Sequence, residues 1–210
     1  MTQKITDDPS IKNIIFDLGG VILDLSVDST LASFSELSGK PQDEIKQLFN
    51  TAEEFAQYER GNLSDEEFRN FIRRLYQVDA PDETIDACWV AMLKELPVAK
   101  LQLLLELKGE FNTFLLSNTN GIHLTYFNTV SLAPHALHSL DAYFHRAYYS
   151  HLMGKRKPDT EIYQQVLDEN EMDPAQTIFL DDMVSNLEGA SKLGIKTIHI
   201  PTPEFLYSLF

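Results

Sequence analysis

A single cysteine, Cys88, stands in the 210 residues. No intramolecular disulfide can form, so packing must hold the fold, and a reducing compartment such as the cytoplasm fits. Apolar runs are short: none reaches the roughly 18 residues that a membrane-spanning helix needs. Positive charge is scarce, with 17 Lys and Arg against 32 Asp and Glu, a formal net charge of −15. Such a surface repels nucleic acid and anionic membrane, and neither is expected as a partner. It also repels phosphorylated molecules at long range. Any phosphate site must therefore be local, made of a metal ion, a few cations and backbone N–H groups. Residues 1–10 lack the basic and then apolar order of a secretory signal and read as a frayed polar lead-in. Internal repeats, low-complexity tracts and charge blocks are lacking too.

An apolar content of 43% is ample for a core, and the length suits one α/β domain with an insertion, or two small domains. The run 12–16 predicts a buried strand that ends in Asp17, followed at once by Gly19 and Gly20. Only helices are expected from about residue 28 to 108. The stretch 28–50 breaks at Gly39-Lys40-Pro41, and Gly61-Asn62 is a second break. Ser64 and Glu67 form a capping box that opens the next helix; Pro81 starts one more, through Trp89 and Leu93, and Pro97 another. Strands are then expected at 113–116, 145–150, 177–180 and 196–200. They alternate with helices at 158–170 and 185–193, the last closed by Gly194. This alternation predicts an α/β fold: a Rossmann-like parallel sheet core, residues 1–27 and 109–210, with an inserted all-helical cap, residues 28–108. The apolar tail 203–210 is expected to pack on the core.

Three strands end in polar residues: Asp17, Ser117 and the pair Asp181-Asp182. Gly154-Lys155-Arg156-Lys157-Pro158 precedes a helix. In a parallel sheet these all fall on one edge, where crevices form. Carboxylates, a hydroxyl and cations together suit phosphoryl transfer with Mg²⁺. Each also has an ordinary structural reading: Asp17 as a turn cap, Asp181-Asp182 as a solvated loop pair, Lys157 as one exposed lysine among others, Ser117 and Asn118 as caps of a following helix. Adjacent carboxylates at a buried strand end repel one another, a cost that a cation relieves. Lys155 and Arg156 compete with Lys157, and the Lys-Pro register favours Lys157.

With its four motifs in order, the chain resembles the haloacid dehalogenase superfamily of hydrolases, with a type 1 helical cap. Asp-Leu-Gly, Ser-Asn-Thr-Asn, Arg-Lys-Pro and Asp-Asp-x-x-x-Asn are most similar to its sugar-phosphatase group. The resemblance implies Asp17 as nucleophile, with Lys157 and Ser117 as its catalytic partners. It implies Asp17, the Gly19 carbonyl, Asp182 and Asp181 as holders of Mg²⁺, and Leu18, Asn118, Glu59 and Arg60 as substrate contacts. Asn186 either supports the metal ligands or caps a helix. His123 is expected at the surface or behind the ligands, and Trp89 and Met92 in the cap core. The expected substrate is a small phosphorylated metabolite such as a sugar phosphate, and the expected assembly a monomer or homodimer.

Position 19 departs from the common pattern. Most phosphatases of this superfamily carry there a second Asp, which protonates the leaving alcohol and then activates water. Gly19 does neither, and such help is typically worth about 10²–10⁴ in rate. Three readings stay open: a phosphatase whose substrate leaves easily or that uses another acid and base, a dehalogenase-like activity, and a binding or regulatory protein of low turnover.

Overall fold

The computed structural model describes residues 4–135 and 137–210; of the lead-in, residues 1–3 lie outside the described part. Five strands form one all-parallel sheet: β1 (Asn13–Phe16), β2 (Asn112–Ser117), β3 (Arg146–Tyr149), β4 (Thr177–Asp181) and β5 (Lys196–His199). Their order is β3-β2-β1-β4-β5. The chain grows from β1 to one side through β2 and β3, then crosses to add β4 and β5 on the other side. That reversal at β1 opens a crevice at the C-terminal edge. β1 and β4 are buried along their whole length, as strands covered on both faces must be.

Among the described residues ten α-helices cover and extend this sheet. Six lie between β1 and β2, the first five being α1 (Val27–Ser38), α2 (Gln42–Thr51), α3 (Glu54–Glu59), α4 (Asp65–Tyr76) and α5 (Asp82–Val90). α1 ends on the left-handed Gly39, at the break the sequence marks. α4 begins with the Ser64–Glu67 capping box. Phe34, Phe68, Phe71, Ile72 and Trp89 turn inward from these helices and pack together. α6 (Val98–Glu110) also falls within 28–108, yet it packs against β2 and the short turn Leu140–Tyr143.

Beyond β2 come α7 (Gly121–Tyr126), a wide π turn at Phe127–Ser131, α8 (Ser150–Met153), α9 (Thr160–Glu169) and α10 (Val184–Ser191). The sequence reading of 118–144 places no elements beyond an unbounded helix after Asn118. The elements there are short and carry no sustained apolar period, so nothing in the pattern reveals their extent. Two further expectations are corrected. From residue 4 on, the lead-in is not frayed: Ile5–Asp7 forms a 3₁₀ turn that buries Ile5 in the core. Helix α5 stops at Val90, and Leu93 instead forms an isolated bridge with Leu25. The tail does pack on the core, through Leu206 and Leu209. Among the described residues no helix is long and apolar enough to cross a membrane.

Candidate active site

Parallel pairing fixes the first contacts. Phe16 of β1 lies opposite Leu180 of β4 and Leu115 of β2. One residue further along, Asp17 and Asp181 leave adjacent strands side by side, and the Asp17 N–H donates to the Leu180 carbonyl at 2.9 Å. Lys157 reaches between them from the loop before α9. Its Nζ donates to Asp17 Oδ1 at 2.6 Å and to Asp181 Oδ2 at 2.8 Å, and all three residues are buried.

Asn118 places this lysine. Its Nδ2 donates to the Lys157 carbonyl at 3.1 Å and its Oδ1 accepts the Lys157 N–H at 3.0 Å. A short polar side chain at the end of β2 thus fixes the loop that carries the cation. Asn186 resolves in favour of carboxylate support: its Nδ2 donates to both Asp181 oxygens, at 3.0 and 3.1 Å. With the Met183 N–H donating at 2.8 Å as well, the Asp181 side chain is held in one orientation. Asp182 packs against Gly20, where the left-handed backbone (φ 74°) and missing Cβ leave room for its carboxylate. Oxygens of Asp17, Asp181 and Asp182 lie within 4.8 Å of one another.

The charges are unbalanced. Three carboxylates face one ammonium. Burial raises the pKa of Asp17, with Asp181 and Asp182 adding to this and Lys157 opposing it. Asp182 is likewise pushed up by burial and by Asp181. Burial alone would lower Lys157, but Asp17 and Asp181 beside it hold its ammonium above the usual lysine range. A hard divalent cation among the three carboxylates relieves this excess, and Mg²⁺ accepts such a ligand set together with water and phosphate oxygens. The donor set fits.

Asp17, Leu18, Gly19, Ser117, Asn118, Lys157 and Asp182 all line one cavity of about 630 Å³ between the sheet edge and the helices that follow β1. Asp181 lies behind it, fully buried. Ser117 ends β2 and does not cap α7, whose cap is Asn120; the Asn120 Oδ1 accepts the His123 N–H at 3.0 Å. Glu59 lines the cavity and is bound by Arg156 Nε. The structure does not bring Arg60 there: its guanidinium pairs with Asp159 at 2.6 Å, outside the lining.

His123 is not a surface residue. It is buried and stacks on Trp89 at 4.8 Å between ring centres, with Nε2 3.2 Å from the Trp89 carbonyl. Burial lowers its pKa to about 4, so it stands neutral. Trp89 and Met92 are buried as expected, and both also line the cavity. The sequence assigns Thr119 no role of its own, and Arg156 only that of a competitor of Lys157. Thr119 follows a recognised motif residue, and Arg156 sits beside Lys157, which are the only signals either gives.

The same architecture recurs in known proteins. A structure of a haloacid dehalogenase family enzyme from Bacteroides thetaiotaomicron, in complex with magnesium and inorganic phosphate, superimposes with a TM-score of 0.83. The two share 34% identity over 90% of this chain and 93% of that one. A D-ribitol-5-phosphate phosphatase from the same organism is 30% identical over 89% of this chain and 90% of its own length. A sesquiterpene phosphatase from Aspergillus oryzae is 28% identical over 91% and 90%. Residues 11–194 match the model of a family described as haloacid dehalogenase-like hydrolases, a span that holds every strand-end carboxylate and the lysine between them. The chain therefore belongs to the haloacid dehalogenase-like hydrolases.

Proposed function

We propose that the protein is a Mg²⁺-dependent phosphatase of a small phosphorylated metabolite, acting through an aspartyl-phosphate on Asp17. The observation that carries this reading is the buried Lys157 bridging Asp17, at the floor of the cavity, and Asp181 behind it. A magnesium and phosphate complex of a relative at 34% identity supports it.

Asp17, Asp182 and the Gly19 carbonyl would hold Mg²⁺, with Asp181 behind them; bound there, the ion neutralises phosphate and carboxylate charge. Asp17 attacks phosphorus through a carboxylate oxygen. The new O–P bond forms as the bond to the ester oxygen breaks, and the departing oxygen takes its proton from water. Water then attacks the aspartyl-phosphate, releasing inorganic phosphate and restoring the Asp17 carboxylate. Lys157 opposes the burial that raises the Asp17 pKa and offsets charge on the transferred group. Ser117, at the end of β2, offers a hydroxyl donor to a phosphate oxygen. Asn118 acts by fixing Lys157. Helices α1–α5 serve as the cap that excludes bulk water, Glu59 and Arg156 joining it to the core over the cavity. α6 stays with the sheet. Three clustered carboxylates argue against a metal-free dehalogenase.

The test is phosphate release from a panel of phosphate esters that includes sugar and polyol phosphates, with Mg²⁺ and with chelator, for the wild type and Asp17→Asn. Turnover is expected only with Mg²⁺ and Asp17. Activity that survives chelation or the substitution overturns this mechanism.

A further inference from the structure

We infer that the alcohol half of the substrate is apolar, an aromatic or branched hydrocarbon group and not a polyol; this rests on the phosphatase reading of the same cavity.

The floor of the cavity is polar, but its wall is hydrocarbon: Leu25, Val27, Phe49, Trp89, Met92 and Phe127. Most of the polar groups a polyol would need are already engaged. The Trp89 indole N–H points to Asn120 Oδ1 at 3.3 Å. His123 faces the Trp89 carbonyl through Nε2 and the Asn120 amide through Nδ1. Arg156 is held by Glu59 and by the Lys157 carbonyl. Among the described lining residues Thr119 adds one buried hydroxyl without a partner and Ser185 one exposed hydroxyl at the rim, too few for a chain of hydroxyls. A polyol seated there leaves hydroxyls unpaired, which costs affinity.

Two further observations agree. A Cβ on residue 19 would lie 2.3 Å from Leu25 Cδ1. Leu25 thus fills the space into which an acid at that position would project, and the surroundings of the leaving oxygen are apolar. The rim is apolar too: Leu25, Val27 and Met183 line the cavity while each stays more than 40% exposed. Exposed hydrocarbon beside a site marks what the site accepts.

The test compares two non-hydrolysable probes, 2-naphthylmethylphosphonate and the phosphonate analogue of a pentitol phosphate, by calorimetry on the Mg²⁺-loaded protein. The naphthyl probe is expected to bind about tenfold tighter or more. The kcat/KM for naphthyl phosphate should exceed that for pentitol phosphate by a similar factor. Leu25→Asn and Val27→Asn, at exposed positions, should each narrow the gap at least about twofold. Equal or tighter binding of the pentitol probe overturns the inference. Acetyl phosphate, too small to touch the wall, reports the phosphatase reading separately. If its hydrolysis is Mg²⁺-independent that reading falls, while the binding comparison still decides the inference.

Discussion

Gly19 and Gly20 are adjacent, and different neighbours hold each one small. At Gly20 the backbone is left-handed, and a Cβ would sit 2.5 Å from Asp182 Oδ2. Gly20→Ala is expected to cost about 1–2 kcal/mol from the backbone alone and to displace the Asp182 carboxylate. Thermal unfolding should report the first effect. A raised Mg²⁺ concentration for half-maximal activity should report the second; stability loss without that shift would separate Gly20 from metal binding. At Gly19 the obstacle is the flexible Leu25 side chain. Gly19→Asp alone should raise turnover of esters with poor leaving groups only slightly. Gly19→Asp with Leu25→Ala should raise it by about tenfold or more, toward the range general acid–base help supplies. Equal rates for the single and double variants, measured on an alkyl phosphate, would show that Leu25 is not what closes that position.

His123 links two elements, α5 through Trp89 and α7 through Asn120, and it does so as a neutral ring. Burial lowers its folded pKa to about 4 from the usual histidine value of 6.5. Between those values the unfolded chain binds a proton that the folded chain refuses, so stability falls as pH drops from 6.5 towards 4. The full effect is up to about 3 kcal/mol. Denaturant unfolding across that window should show a steeper loss for the wild type than for His123→Gln; equal slopes would mean that the ring is protonated in place. A second element-scale expectation concerns α4. Ser64→Ala removes the capping hydroxyl and should cost about 1 kcal/mol in the same assay. That cap was legible in the sequence because capping is local: Ser64 and Glu67 are three residues apart. The strands ending in Asp17, Ser117 and Asp181 were legible for a similar reason, as buried parallel strands read as apolar runs. The Trp89–His123 stack and the pairing of Arg60 with Asp159 were not. Both join residues far apart in the chain, and no local pattern encodes which face of a cap helix meets the core.

At the scale of the whole molecule the governing quantity is the net charge of −15. Few cations stand free to offset it near the site. Lys157 is shared by two carboxylates, Arg156 is paired with Glu59, and Arg60 with Asp159. An incoming phosphate dianion is therefore repelled by the acidic surface once it comes within about a Debye length of it, about 10 Å at 0.1 M salt. Raising the ionic strength from about 0.01 M to about 0.15 M at saturating Mg²⁺ screens that repulsion. It leaves the buried Lys157 contacts almost untouched. The expected result is a rise in kcat/KM for a dianionic ester with kcat little changed, because capture and not chemistry feels the long-range field. The same series with an uncharged competitive ligand of the apolar wall should be flat. A fall in kcat/KM with salt would mean that the Mg²⁺-loaded site presents a net positive field that outweighs the acidic surface.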